Sequence, residues 1–368
     1  MCDNSTKYWI GINMNPATTP ARFHLLLNYF PSVEAIWNAP REKLESLEGF
    51  RDAAEEFCEA RDEDQVKEEI KKCRDLDIDV ITLADEDYPD SLRAIDKPPP
   101  VLYVKGNYEQ DDQLGVAMVG TRKNTNYGKR IAKKLAGQLA REEITLVSGM
   151  ARGIDTYCHR AALGSDGRTV AVMGTGFDYT YPKDNANLMR KISENGAVIS
   201  EFPFEQRPTR WTFPQRNRVI SGLTRGTIVV EAPESSGALI TAHDALSQGR
   251  EVFAVPGDVR RQTMKGTHGL IKDGAKLVED ASDVLEEFKD IQATLPFDEE
   301  EESEEDIESG LNGDQKEVYS RLDYEPVHFN DLVASTDFSA ARLSHIMFQL
   351  EMENLVEQLE GNKWVKSK

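Results

Sequence analysis

The stretch from Gly115 to Gly153 constrains the fold more than any other part of the chain: GVAMVGTRKNTNYGKRIAKKLAGQLAREEITLVSGMARG. An apolar run, Val116 to Val119, ends on Gly120-Thr121-Arg122 and leads into a basic helical pattern. A second apolar run, Ile144 to Val147, ends on Ser148-Gly149, with Arg152-Gly153 just beyond. Two strands joined by a helix form a βαβ unit, whose crossover makes the strands parallel. The rhythm continues with apolar runs at 170–173, 197–200, 228–231 and 252–255, helix-length segments between them, and a short last strand over 275–278 before a helix over 281–288. Continuous apolar runs read as strands buried on both faces. Their alternation with helices predicts an α/β fold, a doubly wound and mostly parallel sheet.

In such sheets ligands bind outside the carboxyl ends of the strands. Those ends carry polar turns here: Gly120-Thr121-Arg122, Ser148-Gly149 with Arg152, Gly174-Thr175-Gly176, Ser200-Glu201 and Val255-Pro256-Gly257. Glycine lets the backbone approach a phosphate, and amides at a helix start point at it. Arginine adds a forked, charge-assisted donor. Gly120, Thr121, Arg122 and Arg152 are therefore expected to share one anion-binding crevice. Lys183, in Tyr181-Pro182-Lys183-Asp184-Asn185, falls on the same rim. After the fourth strand comes Trp211-Thr212-Phe213-Pro214-Gln215-Arg216-Asn217-Arg218, which sets aromatics beside paired arginines. That combination suits stacking on bases with contact to backbone phosphates. Burial of Trp211 and Phe213 in the core is an equal alternative.

A net charge of −21 argues against a nucleic-acid partner until its distribution is read. Residues 1–110 carry −10, residues 111–280 carry +5 and residues 281–368 carry −16, so the positive charge collects where the crevice is expected. Other chemistry finds little support. GxGxxG, the P-loop, HExxH and GxSxG are all missing. The six histidines show no metal spacing. Asp155 and His159, four apart on a helix, fit a helix-surface or helix-cap pair better than a catalytic dyad. Glu201 and Glu231 end strands but complete no reaction centre. No catalytic residue, metal or cofactor is expected. Cys2, Cys58, Cys73 and Cys158 are scattered and read as free thiols of a reducing compartment. The sequence holds no run of about 18 apolar residues, and its first residues, MCDNSTKYWIG, lack a signal-peptide pattern. A cytoplasmic protein without membrane contact is expected.

The flanks differ in character. Residues 7–75 read as short amphipathic helices, with Leu47-Glu48-Gly49-Phe50 resembling a helix-hairpin-helix turn. Residues 79–83 and 101–106 read as strands, the second preceded by Pro98-Pro99-Pro100 and so suited to a sheet edge or a connection. Residues 298–308 carry nine acidic side chains and read as a disordered linker. Residues 311–368 carry three helical patterns and a hairpin about Gly361-Asn362, which together make a winged helix. Its third helix offers only Arg342 and His345 as basic groups, which favours a structural or protein-binding role over DNA readout.

VGTRKNTNYG, LVSGMARGID, AVMGTGFDYTYPKDN, SEFPFEQRPTRWTFPQRNRVISGL, VVEAPESSGALITA and REVFAVPGD, in this order and spacing, resemble the DNA-processing protein A family (DprA, also called Smf). The likeness is strong over 78–290 and reaches both flanks. It implies a small helical domain over 1–76 (SAM or helix-hairpin-helix-like), a Rossmann-like DNA-binding core over 77–290 and a winged helix over 311–368; the acidic linker, placed over 291–310, departs from the family's pattern. It also implies a dimeric, non-enzymatic mediator that binds and protects single-stranded DNA and loads the recombinase RecA during natural transformation. The family's glycine–serine/threonine–arginine motif falls on Gly120, Thr121 and Arg122, and its pocket arginine on Arg152. Its YPxxN lysine falls on Lys183, and its paired arginines on Arg216 and Arg218. With Ser148, Gly149, Asn185 and Asn217 these make up the expected DNA site. Two other readings of the same crevice are an enzyme that cleaves nucleoside monophosphates at the base–ribose bond, and a nucleotide sensor.

Overall fold

The computed structural model describes residues 5–288, 313–322, 327–336, 338–352, 355–359 and 363–366. They fall into two compact units, one within 1–289 and one within 290–368. The expected acidic linker, 291–310, and the Gly361-Asn362 turn lie outside the described residues.

Six helices open the first unit: α1 (Thr6–Met14), α2 (Pro20–Tyr29), α3 (Val33–Trp37), α4 (Arg41–Glu45), α5 (Ala54–Glu59) and α6 (Glu63–Asp75). Side-chain caps start several of them. Thr19, Ser32 and Asp62 accept backbone N–H groups at the starts of α2, α3 and α6. Gly49 sits at φ +87° in the turn between α4 and α5, a conformation that favours glycine. Trp9, Ile10, Leu26, Ile36, Phe50 and Phe57 form a core that continues into Val101, Tyr103 and Phe204. Glu69 of α6, itself buried, accepts the Phe204 N–H at 2.8 Å.

The sheet comprises β1 (Ile78–Thr82), β2 (Val101–Gly106), β3 (Val116–Val119), β4 (Leu146–Ser148), β5 (Thr169–Val172), β6 (Gly196–Ser200), β7 (Gly226–Val229), β8 (Glu251–Ala254) and β9 (Lys276–Leu277). Its nine strands run in the order β1-β2-β6-β5-β4-β3-β7-β8-β9. From β6 to β9 every pairing is parallel. Helices cross between the strands: α7 (Asp90–Arg93) after β1, then α8 (Asn126–Arg141), α9 (Ile154–Leu163), α10 (Ala186–Glu194), α11 (Thr212–Gly222), α12 (Ala238–Ser247) and α13 (Lys265–Lys272). A last short helix, α14 (Ser282–Leu285), follows β9. Each of β3 to β7 is buried along its whole length, as the continuous apolar runs require. One expectation is corrected: β2 is an inner strand, antiparallel to both β1 and β6. The three prolines precede it and so remove no ladder donor, while β1 supplies the edge.

The second unit holds α15 (Gly313–Tyr319), β10 (Val327–His328), α16 (Phe329–Ser335), α17 (Ala340–Met352), β11 (Val356–Leu359) and β12 (Lys363–Lys366). β12 pairs with both β10 and β11, which is the wing of a winged helix. Val318, Leu322, Leu332, Leu343, Ile346, Met347, Leu350 and Trp364 make its core. Arg342 bonds Asp314 through Nε at 3.2 Å and through Nη2 more closely, so its charge is answered within the unit.

Because each unit has its own core, a chain ending at residue 289 is expected to unfold in one cooperative transition, read by circular dichroism on heating. A broad, non-cooperative melt of that chain would contradict the division.

Candidate nucleic-acid interface

From β3 the chain winds first through β4, β5 and β6 and then, through β7 and β8, to the other side. The β3–β7 boundary is therefore the topological switch point, where neighbouring crossovers diverge and leave a crevice. A cleft of about 670 Å³ opens there. The Gly120-Thr121-Arg122 turn lines one side and the Ser235-Ser236-Gly237 turn the other. Phe213, Pro214 and Ile220 add apolar wall, and the buried Asp155 and Arg216 form the floor.

The basic turn is held from beneath. Thr121 N–H donates to Glu231 O at 2.7 Å. The buried Glu231 carboxylate accepts Thr125 N–H at 2.9 Å and Thr125 Oγ1 at 3.1 Å, while Thr125 Oγ1 accepts Gly128 N–H at 3.2 Å and so caps α8. A Cβ on Gly128 would lie 2.0 Å from Glu231 Oε2, so this close approach requires glycine. Arg122, above the turn, is exposed; its guanidinium stands 4.9 Å from the Phe213 ring centroid. Tyr181 packs on the same ring at 5.4 Å.

The floor is a charge pair out of water. Arg216 is 3% exposed; its Nη1 donates to Gly149 O at 2.7 Å and to Val172 O. Burial pushes its guanidinium down to about 10, opposed chiefly by Asp155. Asp155, in the first turn of α9, accepts Gly149 N–H at 3.2 Å and Ala151 N–H at 3.3 Å. Burial pushes its carboxyl up to about 6, opposed first by Arg216. His159, also buried, gives Nδ1 to Thr169 Oγ1 at 2.7 Å, and burial pushes it down to about 3. Asp155 thus caps a turn and faces an arginine, while His159 bonds the β5 start.

The expected DNA residues divide. Gly120, Thr121, Arg122, Arg216 and Asn217 line the cleft. Ser148 and Gly149 lie behind it: Ser148 Oγ is buried and donates to Met118 O at 2.6 Å. Asn185, buried just before α10, donates to Met150 O (2.9 Å) in the β4–α9 turn and to Thr156 Oγ1 (2.8 Å) in α9. Arg218 turns away to Glu201 (2.5 Å) and Lys97 O (2.9 Å), and burial raises the Glu201 carboxyl against that pull. Arg152, expected in the crevice with Arg122, is outside the cleft lining and pairs with Asp184 at 2.9 Å. Lys183 is exposed in the short turn before α10. Of the two aromatics left open between core and stacking, Trp211 is exposed and Phe213 half-buried. The expected DNA site left out Lys123, Arg210, Ser235, Ser236, Thr241 and Thr263, which also line the cleft. The Pro233-Glu234-Ser235-Ser236-Gly237 turn ahead of α12 was the available signal for the serines.

A doubly wound sheet with an arginine-lined cleft at its switch point, in a chain with a winged-helix unit, defines a class of Rossmann-like proteins. Comparison with known proteins narrows it. The profile of DNA recombination-mediator protein A matches residues 79–289, and that of the DprA winged helix domain matches residues 302–362. The chain belongs to the DNA recombination-mediator protein A family. It is 31% identical to Protein Smf of Synechocystis over 99% of both chains, and 42% identical to DNA processing protein DprA of Bacillus subtilis over 61% of this chain and 76% of that one. The crystal structure of DNA processing protein A from Streptococcus pneumoniae superposes with a TM-score of 0.68 at 36% identity, covering 76% of this chain and 97% of that one. DNA processing protein A from Helicobacter pylori, whose structure is described for its single-stranded DNA binding mode, gives 0.52 at 26% identity, covering 58% of this chain and 96% of that one.

The raised Asp155 carboxyl has a consequence for stability. The folded state holds that proton more tightly than the unfolded chain, so its contribution is full below about pH 4 and is lost as pH rises through about 6. Asp155→Asn is expected to remove this part of the slope in denaturant titrations run between about pH 4 and 7. An unchanged slope in the variant would show that Asp155 does not titrate with folding.

Proposed function

We propose that this chain is a single-stranded DNA-binding recombination mediator, with the switch-point cleft as its DNA site. The observation that carries the reading is the state of Arg122. It stands over an aromatic ring rather than a carboxylate, at the lip of a cleft whose opposite side is the serine–glycine turn before α12. A strand can lay one phosphate on the Arg122 fork and the next toward the α12 amides. Lys123 and Arg210 add positive charge along the lining. The half-buried Phe213 ring and the exposed Pro214 offer apolar wall to a base or sugar. Gly120, Thr121 and Asn217 are proposed as direct contacts, with Arg152 and Lys183 meeting the strand beyond the cleft. Ser148, Gly149, Asn185, Arg216 and Arg218 shape the site from behind.

Family membership supports the wider role: protection of incoming strands and delivery of RecA to them during natural transformation, by a cytoplasmic homodimer. Among the described residues no helix is long and apolar enough to cross a membrane. Each buried carboxylate beside the cleft holds part of its framework through one oxygen, a structural use that favours binding. Asp155 caps a turn, Glu201 holds Arg218 and Gln215, and Glu231 holds Thr125.

The test is fluorescence anisotropy with a labelled single strand across a salt series. Affinity is expected to fall steeply between about 50 and 500 mM salt, because bound phosphates release counterions. Arg122→Ala is expected to weaken binding about tenfold or more on any sequence. Salt-independent binding, or full affinity in the variant, would overturn the reading. Tight binding of a mononucleotide with none of an oligonucleotide would favour a sensor. Release of base from nucleoside monophosphates would favour an enzyme.

A further inference from the structure

Trp211 is 68% exposed, against 7%, 6% and 6% for Trp9, Trp37 and Trp364. A large flat ring held in water is available to stack on a partner. The ring is not on a loose tip. Thr209 Oγ1 accepts both Trp211 N–H and Thr212 N–H at 3.3 Å, and Thr212 Oγ1 returns a bond to Thr209 O at 3.1 Å. The backbone that presents the ring is therefore fixed before any partner arrives, which lowers the entropy lost on binding. The Arg210 guanidinium lies 4.6 Å from the ring centroid and occupies one face. With that face taken, the remaining exposure leaves the ring open to a second flat group. Trp211 also follows directly on Arg210 and precedes Phe213, both of which line the cleft. Four residues earlier in the chain a second cation stands over a ring: Arg207 lies 5.8 Å from the Tyr179 ring centroid and bonds its hydroxyl at 3.1 Å. Flat apolar faces among fixed cations match an unpaired nucleobase between phosphates.

We propose that Trp211 is a stacking platform that makes the site select single strands over duplex. The proposal rests on the DNA-binding reading of the cleft. An unpaired base presents a whole π-face to the ring, whereas a paired base is already stacked on its neighbours. Trp211 therefore contributes to single-strand affinity alone, while Arg122, a phosphate contact, contributes to both kinds of DNA.

Four measurements on the full chain test this together. The probes are a thymidine oligonucleotide, the same strand made abasic, and the matching duplex. Trp211→Ala is expected to weaken binding of the thymidine strand about tenfold to a hundredfold. Its binding of the abasic strand and of the duplex is expected to be unchanged. Trp211→Phe, which keeps a ring, should restore most of the loss and guards against a folding defect in the first variant. Binding of the thymidine strand should quench tryptophan emission in the wild type and leave it nearly unchanged in Trp211→Phe. Equal affinity of wild type and Trp211→Ala for the thymidine strand overturns the proposal, as does an equal loss on the abasic strand. If Arg122→Ala still weakens binding in that case, the cleft stands and only the platform falls. If the wild type binds no single strand at all, both fall.

Discussion

Arg216 carries its charge almost wholly out of water, and the cleft is arranged around that fact. A buried guanidinium is tolerable only when its donors are met. Here the carbonyls of Gly149 and Val172, just past β4 and at the end of β5, meet them, with Asp155 as the counter-charge. The same bonds tie α11, which carries Arg216, across the carboxyl ends of two strands. A Cβ on Gly149 would lie 2.6 to 2.8 Å from the guanidinium atoms, so the small residue there is part of the same arrangement. The cleft's floor is thus fixed by electrostatics before its rim does any binding. The rim cation, Arg122, stands over Phe213, while Arg216 is the larger of the two positive charges acting on Asp155.

That division explains how an acidic chain can offer an anion site. The net charge is −21, yet the cations near the strand ends are sorted by their partners. Arg218 and Arg152 are matched by Glu201 and Asp184. Arg122 and Arg210 instead stand over aromatic rings. A cation over a ring keeps its N–H donors available to a phosphate, whereas a salt bridge must be broken first. Local pairing, rather than the sum of charges, decides which arginines can meet a strand.

Much of the fold was legible because the strands of the parallel sheet are buried on both faces and so read as apolar runs. Val116–Val119 matches β3 at both ends, and the other runs fall within two residues of their strands. The place of β2 was not legible, since proline content speaks to a strand's ends and not to its neighbours. The site was half legible. Gly120, Thr121 and Arg122 stand out because a strand end and an arginine coincide in sequence. Arg216 and Arg218 look alike in sequence, but two positions along a helix turn them to different partners, one under the cleft and one to Glu201. That the Ser235-Ser236-Gly237 turn faces the Gly120 turn was not legible, because only the winding about the switch point brings β7 beside β3.

Hydrogen–deuterium exchange with and without a saturating single-stranded oligonucleotide bears most directly on the claim that both sides of the switch-point cleft hold the strand. The account expects added protection in the turns around 120–123 and 235–238 together. Protection confined to other segments, such as 193–196 at the opposite ends of the strands, with neither turn affected, would contradict it.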